Sequence, residues 1–118
     1  MSFDEILRTI VEQCGGGIGA ALMGNDGIPI EEYALETSVE VGTAGVEFGR
    51  ILMDIRKASD ALDGGPLGET IVRMARFSLI FQPVDDENFL VLALAPDGNL
   101  GKARYLIRRH MLAVRQEF

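Results

Sequence analysis

Apolar residues recur along the chain at two periods, and the changes between them mark the elements. Phe3, Ile6, Leu7, Ile10, Val11 and Cys14 fall at steps of three and four, which predicts an amphipathic helix. Ser2 precedes this pattern and Glu5 follows three residues later, a capping-box arrangement. Gly15-Gly16-Gly17 ends the helix. "IGAALMG", Ile18 to Gly24, then reads as a mostly buried strand, Asn25-Asp26-Gly27 as a hairpin turn, and "IPIEEYA" as a returning strand. Pro29 cannot donate to a ladder, so that second strand belongs at a sheet edge.

From Val39 to Leu62 the three-four pattern returns through Val41, Ala44, Phe48, Ile51, Ile55, Ala58 and Leu62. It predicts a helix about 35 Å long, closed by Asp63-Gly64-Gly65-Pro66. Gly42, Gly45 and Gly49 form a small-residue strip beside the apolar stripe, although each costs about 1 kcal/mol relative to alanine inside a helix. Two readings of the strip stand together: close packing on the chain's own sheet, or close approach of a second helix in a homodimer.

Three further strands follow: "GETIVRMA" from Gly68, "FSLIFQPV" from Phe77 and "FLVLALA" from Phe89 to Ala95. Asp85-Asp86-Glu87-Asn88 makes a polar turn between the last two, whereas Ala75-Arg76 holds no residue that would supply a primed turn. The last strand is apolar on both faces, which places it centrally in the sheet. A final helix runs from Leu100 to Glu117 with Leu100, Ala103, Ile107, His110 and Val114 as its inward row, capped by Asp97 or Asn99.

At 118 residues with 47% apolar and 25% charged, the chain suits one compact domain, residues 1–118, rather than a disordered segment. No apolar run reaches the roughly 20 residues of a membrane span, and the acidic start lacks a signal peptide's positive flank, so a cytoplasmic protein without membrane insertion is expected. Charge is uneven. Residues 1–50 hold nine acids against Arg8 and Arg50, while the final helix alone carries Lys102, Arg104, Arg108, Arg109 and Arg115. The net charge of −7 argues against nonspecific nucleic-acid binding. The basic helix is either a solvated face turned to an acidic body or a charged contact with a partner protein.

Candidate chemistry is sparse. Cys14 and His110 are each the only residue of their type, which excludes an intrachain disulfide and a Cys-rich metal site; both suit packing roles. Gly15-x-Gly17-x-x-Ala20 matches the dinucleotide fingerprint as a bare pattern, but that motif needs a strand before it and a helix after it, and here the order is reversed. There is no P-loop, and the acidic runs Glu31-Glu32 and Asp85-Asp86-Glu87 sit at turns or edges where solvation explains them. No catalytic, cofactor-binding or metal-ligating residues are therefore expected, and no enzyme.

"ILRTIVEQCGGGIGAALMGNDGIPIE" (Ile6 to Glu31), Gly68-Glu69, and "FLVLALAPDGNLGKARYLIRR" (Phe89 to Arg109) stand in the order helix, two strands, long helix, three strands, helix. With these words the chain resembles the Roadblock/dynein light chain family, in particular its short bacterial members of the MglB and MglC type. The resemblance implies an α+β fold: a five-stranded antiparallel sheet with the long helix on one face and the two terminal helices on the other. It also implies a homodimer in which third strands pair edge to edge and long helices meet. Val41, Ala44, Gly45, Phe48, Ile51, Ile55, Thr70, Val72 and Met74 are the residues expected there. An unpaired third strand would invite aggregation, which is a separate reason to expect pairing.

The implied function is regulation or scaffolding of a Ras-like small GTPase in a polarity or motility pathway, with the GTPase or another Roadblock protein as partner. MglB-like members promote hydrolysis by reorganising the GTPase's own switch segments, and MglC-like members act as adaptors. Arg73, Arg76, Arg104 and Arg108 are candidate partner contacts by charge. Two alternatives remain: direct GTPase activation, and a small-molecule-sensing module of longin or PAS profile, which would need a sizeable pocket.

Overall fold

A computed structural model describes residues 1–118. Its elements are α1 (Phe3–Gln13), β1 (Gly17–Gly24), β2 (Pro29–Ala34), α2 (Val41–Ala61), β3 (Thr70–Arg73), β4 (Ser78–Pro83), β5 (Asn88–Leu94) and α3 (Leu100–Glu117). The strands form one antiparallel sheet in the order β2-β1-β5-β4-β3. β5 is central, as its two-sided apolar pattern requires, and β2 with Pro29 lies at an edge.

α1 starts where Ser2 caps it: the Ser2 hydroxyl accepts from the Glu5 N–H at 3.3 Å and donates to Glu5 Oε1 at 3.0 Å. Its apolar row, Ile6, Leu7, Ile10 and Val11, is buried against one face of the sheet. On that face α3 adds Ala103, Leu106, Ile107, Met111 and Val114, and the strands add Ala20, Leu22, Ile80, Leu90 and Leu92. Full burial of each large side chain contributes roughly 1.5–3 kcal/mol before the entropy of ordering it, so this core is a main source of stability. Asn99 caps α3, its side-chain oxygen accepting from the Lys102 N–H at 3.0 Å.

The glycine run has a structural use. The Asn99 N–H donates to Gly15 O and the Ala95 N–H to Gly16 O, both at 2.8 Å, tying the α1–β1 turn to the β5–α3 turn. A Cβ on Gly17 would fall 2.2 Å from the Val11 carbonyl oxygen. The triplet is therefore a place where backbones touch, with a strand after it and no helix N-terminus to hold a pyrophosphate.

α2 covers the other face over Ile18, Ala21, Met23, Phe89 and Val91. The glycine strip is what lets it lie close. A Cβ on Gly45 would approach Met23 Cε to 2.9 Å, and one on Gly49 would meet the Phe89 ring at 3.6 Å. The strip thus packs on the chain's own sheet. Val41 and Gly45, expected at a helix–helix contact, are buried against that sheet in the single chain. α2 ends at Ala61 with Asp63 in the left-handed conformation (φ 54°) and the Gly64 N–H donating back to Ser59 O at 2.8 Å.

β3 is shorter than expected. In register it runs from Thr70 opposite Phe81 to Arg73 opposite Ser78, so Gly68 would stand opposite Pro83, which has no N–H to give. The β3–β4 connection closes through the Met74 N–H to Phe77 O at 3.0 Å, and no residue in it takes a positive φ. Ala75-Arg76 therefore makes a turn outside the primed types, consistent with its lack of Gly, Asn or Asp.

Candidate partner and self-association surface

The sheet has two edges, and they differ in kind. β2 carries Pro29, adjacent Glu31 and Glu32, and a register break between Leu22 and Met23 on its neighbour, devices that blunt strand pairing. β3 reads Thr-Ile-Val-Arg and carries none of them within the strand; it pairs with β4 on one side only. Its backbone groups on the other side are unpaired within the chain.

Beside that open edge runs an incompletely covered apolar band. Phe48 is half-buried with its ring centroid 5.5 Å from Phe81, and Ala44, Ile55, Leu67, Val72 and Phe77 are also only partly buried against the same core. Ile51 is 49% exposed, and Met74 stands exposed at the end of β3. Thr70 is half-buried at the start of the strand. Of the residues expected at a dimer contact, Ala44, Phe48, Ile51, Ile55, Thr70, Val72 and Met74 thus keep accessible surface.

The four candidate arginines separate into pairs. Arg73 and Arg76 are exposed at the β3–β4 connection. Arg104 and Arg108 on α3 both reach Glu69 Oε1, Arg104 in a direct ion pair and Arg108 at 3.7 Å. Glu69 is the residue that ties the basic helix to the strand at the open edge. In the sequence it stands out only as part of the Gly68-Glu69 word, because nothing local signals a pairing so distant along the chain. α3 also exposes Tyr105 and Leu112, which lie seven residues apart and outside the inward apolar row, a spacing that could have marked them.

Isolated groups have ordinary roles. Cys14 closes α1 and is fully buried; burial pushes its thiol pKa up, against the lowering effect of backbone hydrogen bonds. His110 Nδ1 lies 2.8 Å from Leu106 O within its own helix. Tyr33 donates to Glu12 at 3.3 Å while Arg8 lies over its ring at 5.4 Å, so β2 and α1 are joined by a small polar cluster. No group of three or more His, Cys, Asp or Glu is arranged to hold a metal ion, and no helix is long and apolar enough to cross a membrane.

Two larger grooves open on the surface. One of about 530 Å³ lies between β2 and the start of α2, lined by Tyr33, Thr37, Val39 and Val46 among others. The second, of about 580 Å³, is polar and lies between the end of α2 and the β4–β5 turn, with Arg56, Asp60, Asp86 and Arg115 on its walls. The first is walled by β2 and the first turns of α2, the second largely by loop and helix-end residues.

No family model matches the chain, and no curated protein matches it in sequence. Solved structures do. The chain is 33% identical to MglC from Myxococcus xanthus over the whole of both chains, with a TM-score of 0.71. A Roadblock/LC7 domain from Streptomyces avermitilis aligns at TM-score 0.86 with 15% identity, over 98% of this chain and 97% of that one. The gliding protein MglB from Thermus thermophilus aligns at 0.83 with 16% identity, over 96% and 85%. The latter two carry the fold, and the first carries kinship, because its identity extends from end to end. The chain belongs to the Roadblock/LC7 family and, within it, resembles MglC and MglB.

Proposed function

We propose that this chain is a non-catalytic adaptor or regulator in a Ras-like small GTPase pathway and acts as a homodimer. The observation that carries the reading is the 33% identity to MglC across the full length of both chains. Self-association is supported by the contrast between the two sheet edges: β2 is protected, whereas β3 is open and flanked by accessible Phe48, Ile51, Val72 and Met74. Pairing two β3 strands would continue the sheet across the dimer and cover both apolar bands.

The adaptor role is tested with a GTPase of the MglA type and a Roadblock protein of the MglB type. Each is mixed with the purified chain and followed by sedimentation velocity, while phosphate release is measured from the GTP-loaded GTPase. The expected outcome is a defined complex with one of them and an unchanged rate of phosphate release. A complex with neither would overturn the adaptor reading, and an accelerated rate would make the chain an activator.

A further inference from the structure

We propose that the outward stripe of α3, formed by Lys102, Tyr105, Arg108, Arg109 and Leu112, is a docking surface for an acidic amphipathic helix of a partner protein. The inference goes beyond the regulatory reading and does not depend on self-association, because α3 and α1 cover the sheet face opposite α2.

Three observations carry it. Between Gly98 and Gln116 the chain holds five bases and no acid, while all eighteen acids lie elsewhere. Tyr105 is 57% exposed and Leu112 65%, so the basic stripe also presents two large apolar side chains, spaced two helical turns apart. The stripe is partly ordered in advance. Arg109 Nη1 donates to the Tyr105 hydroxyl at 3.1 Å, which lowers the entropy lost on binding.

The geometry selects the occupant. From Lys102 to Leu112 the stripe spans about 15 Å of helix, a length that suits a partner helix with Leu and Glu or Asp at three-four spacing. Apolar positions of that helix would cover Tyr105 and Leu112, and its carboxylates would meet Lys102, Arg108 and Arg109. Glu69 already holds Arg104, but its contact to Arg108 is longer at 3.7 Å and Arg108 is 65% exposed, so this guanidinium is free to turn outward. A flat anionic lipid surface fits less well. α1 lies beside α3 and carries Asp4, Glu5 and Glu12 against the single base Arg8, itself 3.4 Å from Asp4. A membrane meeting α3 would meet those acids too, whereas one helix can follow the α3 axis alone.

The test uses the full chain and a fluorescein-labelled amphipathic peptide of 18 residues or so, built of Leu, Glu and Ala in that spacing. A version with Gln for Glu serves as its neutral partner. Anisotropy is read at low and moderate salt. The wild-type chain should bind the acidic peptide, more weakly as salt rises, and bind the neutral one poorly. Arg108→Glu with Arg109→Glu should weaken binding by about tenfold or more, Tyr105→Ala with Leu112→Ser should weaken it at every salt concentration, and Arg50→Glu on α2 should leave it unchanged. Amide chemical shifts of the wild-type chain locate the peptide without any substitution, and perturbations should follow Lys102 to Leu112. No binding by the wild type, unchanged binding by the Arg108/Arg109 variant, or shifts centred on α2 and β3 would overturn the proposal. Flotation of the chain with phosphatidylserine vesicles in place of peptide binding would also overturn it.

Discussion

Gly16 and Gly98 pack backbone on backbone: a Cβ added to Gly16 would lie 2.6 Å from the Gly98 Cα. Gly16 also has φ +94°, so alanine there meets both backbone strain and a neighbour that cannot swing aside. Gly16→Ala should cost about 3 kcal/mol. Gly65 separates the two causes, since its φ is +79° but nothing lies within 4 Å of an added Cβ; Gly65→Ala should cost only about 1 kcal/mol. Urea unfolding of both variants checks this, and equal losses would mean that the contact between the two turns adds nothing.

In the proposed homodimer Ile51 is covered, while in the single chain it is 49% exposed. Ile51→Glu should therefore leave the fold intact by circular dichroism and reduce the mass in solution from two chains to one at micromolar concentration. It is a cleaner probe than a charge at Phe48, whose ring already packs on Phe81 inside the chain. A variant that keeps the mass of two chains would place the contact elsewhere.

Local signals account for what the sequence made legible. Ser2 with Glu5, the three-four row of α1, and Pro29 on an edge strand each act within a few residues, and each is found in the structure; of Asp97 and Asn99 it is Asn99 that caps α3, and the buried row of α3 takes in Leu106 and Met111 while His110 is only half-buried. Questions about distant neighbours were not legible. Gly42, Gly45 and Gly49 are compatible with two partners, and only the placement of Met23 and Phe89 beneath Gly45 and Gly49 decides for the chain's own sheet. Glu69 meets Arg104 and Arg108 because β3 starts beside α3, a consequence of topology that no spacing in the chain encodes. β3 is shorter than its sequence pattern suggests for a similar reason, since its start depends on Pro83 of the neighbouring strand.

Asp63 holds the left-handed position after α2 that glycine most often fills, with φ 54°. Gly64 comes one residue too late to relieve it. Asp63→Gly removes strain of about 1–2 kcal/mol and adds about 0.5–1 kcal/mol of unfolded-chain entropy, so a net gain of about 0.5 kcal/mol is expected. The midpoint of urea unfolding should rise slightly. A fall would mean that the aspartate carboxylate contributes more than its backbone strain removes.

Asp85 organises the β4–β5 turn, and the turn in turn holds the β1–β2 hairpin. Its Oδ1 accepts from the N–H groups of Glu87 and Asn88, both at 2.8 Å, and from the Asn88 side-chain amide at 3.0 Å. The Asn25 N–H then donates to Glu87 O and the Asn25 amide to Asp86 O, both at 2.8 Å. Burial pulls the Asp85 pKa upward, but the donated hydrogen bonds outweigh it and hold the carboxyl below its ordinary value. A depressed folded pKa means that the ionised group stabilises the fold above the unfolded pKa of about 3.9 and that this contribution is lost as pH falls through the folded value. Asp85→Ala should therefore lower the urea midpoint at pH 7 and at pH 5, and the gap to the wild type should narrow at pH 3. A gap that stays constant across all three would show that charge on Asp85 is not what orders the two turns, leaving the Asn25 contacts to hold them.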